Sequence, residues 1–127
     1  MRKKIWIIDD DPVIGNILSD HLRTFFDYEP YYFSNAKDAY KMLKKLRPDL
    51  ILLDWVMPDQ DGMEIIDTLK GQTKTANIPI FMITGRSSGE EFESACSKGI
   101  DGYFTKPIDY TRISRRLSLF FQQQETL

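Results

Sequence analysis

The chain has 127 residues, room for one domain and little more. Hydrophobic residues make up 42% and charged residues 28%, the balance of a globular protein with a sizeable core, which argues against disorder over most of the length. Seventeen basic residues against nineteen acidic ones give a net charge of −2, without the excess of positive charge that marks nucleic-acid binders.

The single cysteine, Cys96, excludes an intrachain disulfide and a cysteine-based zinc site. Met1-Arg2-Lys3-Lys4 runs into four apolar residues before Asp9-Asp10-Asp11. That is too short for a signal-peptide core, and no run approaches membrane-spanning length. The expected compartment is the cytoplasm, with no membrane partner.

Ile5-Trp6-Ile7-Ile8 is a continuous apolar run, the pattern of a strand buried on both faces of a parallel sheet. Ile14, Ile17, Leu18, Leu22, Phe25 and Phe26 then recur at helical spacing, with Pro12 suited to the first turn. Tyr31-Tyr32-Phe33 predicts a second strand. Pro30 at its start cannot donate to a ladder, which places the strand at a sheet edge. A second helix carries Ala36, Ala39, Tyr40, Leu43 and Leu46 on one face, capped by Ser34 or Asn35 and stopped by Pro48.

Leu50-Ile51-Leu52-Leu53 predicts a third buried strand ending on Asp54. Met63, Ile66 and Leu69 mark a third helix with Gly71 near its end. Ile80-Phe81-Met82-Ile83 is the fourth strand, ending on Thr84. Phe92, Ala95 and Cys96 mark the apolar side of a fourth helix closed by Gly99, where Cys96 is expected as a small buried hydrophobe. Tyr103-Phe104-Thr105 is a short fifth strand ending on Lys106. Ile113, Leu117, Phe120 and Phe121 pattern a last helix capped by Asp109. Five strands alternating with five helices imply an α/β fold, an open parallel sheet with helices on both faces.

In such sheets ligands bind beyond the carboxyl ends of the strands. Here those ends carry Asp9-Asp10-Asp11, Asp54, Thr84 and Lys106. Carboxylates brought that close repel one another unless a cation enters, and an all-oxygen set suits Mg²⁺. Adding a lysine charge and a threonine hydroxyl makes a site for a phosphoryl group. An aspartate carboxylate can itself be the nucleophile, giving an acyl phosphate. With no Gly-rich phosphate loop in the sequence, a nucleotide is not the expected occupant.

The ordered set resembles the receiver domains of two-component response regulators. It comprises Ile7-Ile8-Asp9-Asp10-Asp11-Pro12, Leu52-Leu53-Asp54-Trp55-Val56-Met57-Pro58 with Asp61-Gly62, Ile83-Thr84-Gly85, and Gly102-Tyr103-Phe104-Thr105-Lys106-Pro107. The resemblance runs from Ile5 to about Leu119. It implies a flavodoxin-like doubly wound sheet of order 2-1-3-4-5 over a receiver domain at 1–121, with 122–127 a polar end or the start of a linker.

The resemblance makes Asp54 the phosphoacceptor. Asp10 and Asp54 are the expected direct Mg²⁺ ligands, Asp9 acts largely through water, and the backbone carbonyl of Val56 completes the set. Thr84 is the switch hydroxyl, Tyr103 the switch aromatic and Lys106 the phosphate-binding lysine, with a cis peptide expected before Pro107. Val56 and Arg86 flank the path of the attacking water. The implied partners are a histidine kinase or phosphotransfer protein and an output domain or target protein.

Plainer readings stand beside these. One of the three leading aspartates is expected to cap the first helix at its positive end, although three exceed that need. Thr84 can be an ordinary strand residue, Lys106 a solvated charge and Tyr103 part of the core. Asp59 and Asp61 are expected in an exposed turn with Gly62, and His21 in a structural role.

Two rivals belong to other classes. A haloacid-dehalogenase phosphatase would use Asp9 as nucleophile, from the D-x-D-x-V match Asp9 to Val13. A degenerate receiver would serve as a docking platform without phosphorylation. Glu90, Glu91 and Glu93 with Arg112, Arg115 and Arg116 would pair across a phosphorylation-favoured homodimer, or simply be solvated. Met1 just before the first strand reads as a natural start, and the Gln-rich end leans toward a larger parent.

Overall fold

In the computed structural model of the chain, residues 2–85 and 89–125 are described. They form five parallel strands and five helices in strict alternation: β1 (Lys3–Ile8), α1 (Pro12–Phe25), β2 (Tyr28–Phe33), α2 (Ala36–Leu43), β3 (Leu50–Asp54), α3 (Gly62–Lys70), β4 (Ile80–Thr84), α4 (Gly89–Ser97), β5 (Gly102–Thr105) and α5 (Tyr110–Glu125). The sheet order is β2-β1-β3-β4-β5, the expected doubly wound arrangement.

The continuous apolar strands are explained by burial on both faces. Successive side chains alternate across a strand, so each strand feeds two layers. Ile5, Ile7, Leu50, Leu52, Phe81 and Ile83 face one layer with Leu18 and Leu22 of α1 and Ile113 and Leu117 of α5. Trp6, Ile8, Ile51, Leu53, Ile80 and Met82 face the other, with Ala39 of α2, Ile65 and Ile66 of α3 and Ala95 of α4. Each fully buried aliphatic side chain contributes roughly 1.5–3 kcal/mol. The matched registers, Ile8 beside Leu53 and Asp54 beside Ile83, bring the last residues of β1, β3 and β4 to one edge.

Local chemistry sets the helix starts. The carboxylate of Asp11 caps α1 by accepting from the Val13 N–H at 2.9 Å, with Pro12 in the first turn. Asn35 caps α2 through the Asp38 N–H at 2.8 Å, which decides between the two candidates. Asp109 accepts from the Arg112 N–H at 3.0 Å before α5. Gly99, at φ 88°, closes α4 in the left-handed region that favours glycine.

Four expectations are corrected. β2 begins at Tyr28, so Pro30 lies inside it, paired with Ile5; the strand is at the sheet edge, where the missing N–H falls on the unpaired side. α2 ends at Leu43, and Leu46 packs against the core from the turn that follows. Cys96 is exposed, because only Ala95 of its pair faces the sheet and the next residue sits about 100° further round the helix. On α1, Ile17 is 46% and Phe25 71% exposed, so the buried stripe is narrower than the apolar pattern.

Candidate functional site

The site is built on the ends of β1, β3, β4 and β5. Asp9 and Asp54 are only 2% and 4% exposed, and Thr84 is fully buried. Asp10 is exposed at the mouth. One carboxylate oxygen from each of Asp9, Asp10 and Asp54 lies within 4.8 Å of the others. The Lys106 ammonium, just past β5, stands 3.4 Å from both Asp9 Oδ2 and Asp54 Oδ1. The Lys106 N–H donates to the Thr84 carbonyl at 2.8 Å, and the peptide bond to Pro107 is cis, as expected.

Backbone hydrogen bonds fix the segments that carry Asp9 and Asp54. Asp9 Oδ1 accepts from the Asp11 N–H at 2.8 Å, while the Tyr32 hydroxyl donates to the Asp9 backbone carbonyl at 2.8 Å. Behind Asp54, the Trp55 N–H donates to the Ile83 carbonyl at 3.1 Å and the Gly62 N–H to the Trp55 carbonyl at 2.7 Å. Gly62 is needed for space: a Cβ there would lie 2.8 Å from the Trp55 Cα and 3.0 Å from the Asp54 carbonyl oxygen. Asp61 caps α3 through the Met63 N–H at 2.8 Å, which fastens the far end of the same loop.

The electrostatics are those of too many carboxylates for one cation. Burial, then the Asp9 charge, push the Asp54 carboxyl up from 3.8 to about 7, against the pull of Lys106. Burial likewise raises Asp9, opposed by the Asp11 N–H and Lys106. For Lys106, burial on its own would lower the pKa; the Asp54 and Asp9 carboxylates outweigh it and the ammonium is held above its ordinary value. Asp9 Oδ2 is buried, and the Lys106 ammonium at 3.4 Å that faces it is shared with Asp54. A hard divalent cation fits this set: three converging oxygen donors and more negative charge than one lysine balances.

Of the residues read from sequence, Asp9, Asp10, Asp54 and Lys106 come together. Thr84 ends the neighbouring strand, one residue beyond the partner of Asp54. Val56 is 46% exposed, two residues past Asp54. Tyr103 lies edge-on to buried Trp55 at 6.1 Å and to Phe92 of α4 at 4.9 Å between ring centroids. His21 packs among the rings of Phe25, Phe26 and Tyr110. Arg86, expected beside the water path, lies outside the described residues, as does the side chain of Glu91 from the suggested dimer pairing.

Sequence reasoning missed two supports. Asp61-Gly62 before an apolar helical pattern is itself an N-cap signal. Tyr32 gave none, since its reach from β2 to Asp9 is a tertiary contact.

An acidic triad and a lysine thus stand together at the carboxyl edge of a doubly wound parallel sheet, the arrangement the resemblance to receiver domains implies. Residues 5–118 match the family model of the response regulator receiver domain, and the chain belongs to that family. The family is therefore the receiver domain and not the haloacid-dehalogenase one.

The DNA-binding dual master transcriptional regulator RpaA of Synechocystis is 31% identical over 127 residues, 98% of this chain and 51% of that protein. The phosphate regulon transcriptional regulatory protein PhoB of Pseudomonas aeruginosa is 33% identical over 115 residues, 91% of this chain and 50% of that one. The chain thus spans about half the length of the curated relatives it matches. Among solved structures, the CheY-like receiver domain protein of Methanospirillum hungatei superposes with a TM-score of 0.88 at 25% identity, covering 99% of this chain and 98% of that one. The chemotaxis protein CheY4 of Vibrio cholerae gives 0.86 at 25%, covering 93% and 98%. Receiver domains typically hold Mg²⁺ at an acidic pocket and work with histidine kinases and output domains. Among the described residues no helix is long and apolar enough to cross a membrane.

Proposed function

We propose that Asp54 accepts a phosphoryl group, from a phosphohistidine on a partner kinase or phosphotransfer protein or from a small donor such as acetyl phosphate. The observation that carries this is the buried Asp54 carboxylate 3.4 Å from the Lys106 ammonium and grouped with Asp9 and Asp10. An Asp54 oxygen attacks phosphorus in line; the bond to the donor breaks, and an acyl phosphate remains on Asp54. Lys106 neutralises charge on the phosphoryl oxygens, and Thr84 donates its hydroxyl to one of them. Asp9, Asp10, Asp54 and the Val56 carbonyl are the residues to hold Mg²⁺, which when bound supplies charge neutralisation at the transferring group. Water later hydrolyses the acyl phosphate, making the domain a phosphoacceptor switch that assists its own phosphorylation and dephosphorylation.

The switch follows from the new dianion. Thr84 is drawn toward it, and Tyr103, already wedged between Trp55 and Phe92, moves inward and remodels the α4-β5-α5 face that meets the output domain or target. Such coupling is typically worth about 1–3 kcal/mol, a shift of populations. In this reading the domain works in the cytoplasm.

Intact-mass spectrometry after acetyl phosphate with Mg²⁺ tests it. The wild-type chain gains one phosphoryl group and Asp54→Asn gains none; an equal gain in the variant overturns the assignment.

A further inference from the structure

The opposite end of the sheet carries a second built surface. Residues 37–47 hold five of the chain's 17 basic residues and one acidic residue, in a protein whose net charge is −2. Two adjoining concavities open there, between the last turns of α2 and α3, with volumes of about 530 and 410 Å³. They share Leu43, Lys44, Lys74 and Thr75. Buried Leu69 and Ile78 form the floor, and Lys44, Lys45, Arg47 and Lys74 stand exposed on the rim.

Hydrogen bonds tie the walls of the groove together. The Arg47 guanidinium donates to the Lys74 carbonyl, tying the two walls. The Thr75 hydroxyl donates to the Leu69 carbonyl at 2.6 Å, and the Lys70 ammonium to the Ala76 carbonyl at 3.0 Å. Lysines near helix C-termini are favoured by the helix dipole, which accounts for part of the charge. It does not account for the recessed apolar floor. Among the described residues, moreover, no carboxylate forms an ion pair with Lys44, Lys45 or Lys74.

We infer that this α2–α3 groove docks an acidic, leucine-bearing segment of a partner protein, whose apolar side chains fill the two concavities while its carboxylates meet the lysine rim. The shape decides against a membrane. Binding a bilayer needs protruding apolar side chains, and among the described residues the large exposed ones (Val13, Ile17, Phe25, Val56, Phe92 and Leu119) lie elsewhere. Nucleic acid would leave the leucine and isoleucine floor unused. Because β3 runs from this end of the sheet to Asp54, the groove and the proposed phosphoacceptor lie at opposite ends. A partner there can stay bound while a phosphodonor visits the other end.

The probe is a synthetic amphipathic peptide with Leu on one face and Glu on the other, titrated into the ¹⁵N-labelled protein. Amide shifts should concentrate in residues 40–47 and 68–78. Exchanging Gln for Glu in the peptide, or introducing Lys44→Glu with Lys74→Glu in the protein, should weaken binding by about tenfold or more, and salt should weaken it further. Both lysines are exposed, so circular dichroism and acetyl phosphate labelling of the double variant should match wild type. Shifts elsewhere, or equal binding to the charge-reversed protein, overturn the proposal. So does charge-dependent binding of anionic vesicles or duplex DNA at this surface without binding of the peptide.

Discussion

Aspartates stand at both ends of this sheet and do opposite things. At the amino end, Asp49 accepts the Lys4 N–H at 2.7 Å and Asp101 the Ile80 N–H at 3.0 Å; each fastens a loop to a strand start and stays in contact with solvent. At the carboxyl end, Asp9 and Asp54 are buried beside each other with one lysine between them. The first pair stabilises the fold through ordinary hydrogen bonds. The second pair is destabilising as long as both are charged, and its retention makes sense as chemistry. A carboxylate's meaning is therefore set by burial and neighbours rather than by its place at a strand terminus.

The largest expected effect comes from removing the shared cation. Lys106→Met leaves two buried carboxylates uncompensated and should cost the metal-free protein roughly 2–3 kcal/mol at pH 8. Protonation of Asp54 limits the loss, since its carboxyl already titrates near pH 7. Chemical denaturation at pH 8 measures this, and an unchanged midpoint would mean that Lys106 is solvated.

Next comes the opposite sign. In the metal-free protein, Asp54→Asn removes one charge from the crowded pair and should stabilise by roughly 1–2 kcal/mol at pH 8. Folded Asp54 binds its proton more tightly than the unfolded group does, about 7 against 3.8, so the folded state holds more protons across that window. Stability therefore falls as pH rises from about 4 to about 7, and the asparagine variant should lose that part of the slope. Parallel wild-type and variant curves would contradict the raised titration.

The smallest effect belongs to the amino end. Asp101→Ala removes one acceptor from a strand start and should cost about 1 kcal/mol by chemical denaturation. A loss as large as that of Lys106→Met would erase the distinction between the two ends.

Much of this could be read from the chain. Continuous apolar runs can be satisfied only between two helical layers, so Leu50 to Leu53 located a central strand and with it the carboxylate that follows. Pro30 located an edge, although not the strand's start, because an edge strand tolerates proline within it. Width was harder to read. The apolar stripe of α1 included Ile17 and Phe25, and that of α4 included Cys96, yet the sheet covers fewer positions than the periodicity offers. In the site, residues at strand ends were legible because each strand delivers its own. Tyr32 on the Asp9 carbonyl and the close approach of Gly62 to Trp55 were not, being contacts between segments that the sequence does not pair.

The most direct test of the carboxyl-end chemistry is to trap the modified residue. After acetyl phosphate and Mg²⁺, borohydride reduction converts an aspartyl phosphate to homoserine, and peptide mass spectrometry locates it. Homoserine at position 54 alone is the expected result. Homoserine at position 9 or 10 instead, or no conversion in a protein that has gained a phosphoryl group, would contradict Asp54 as the acceptor.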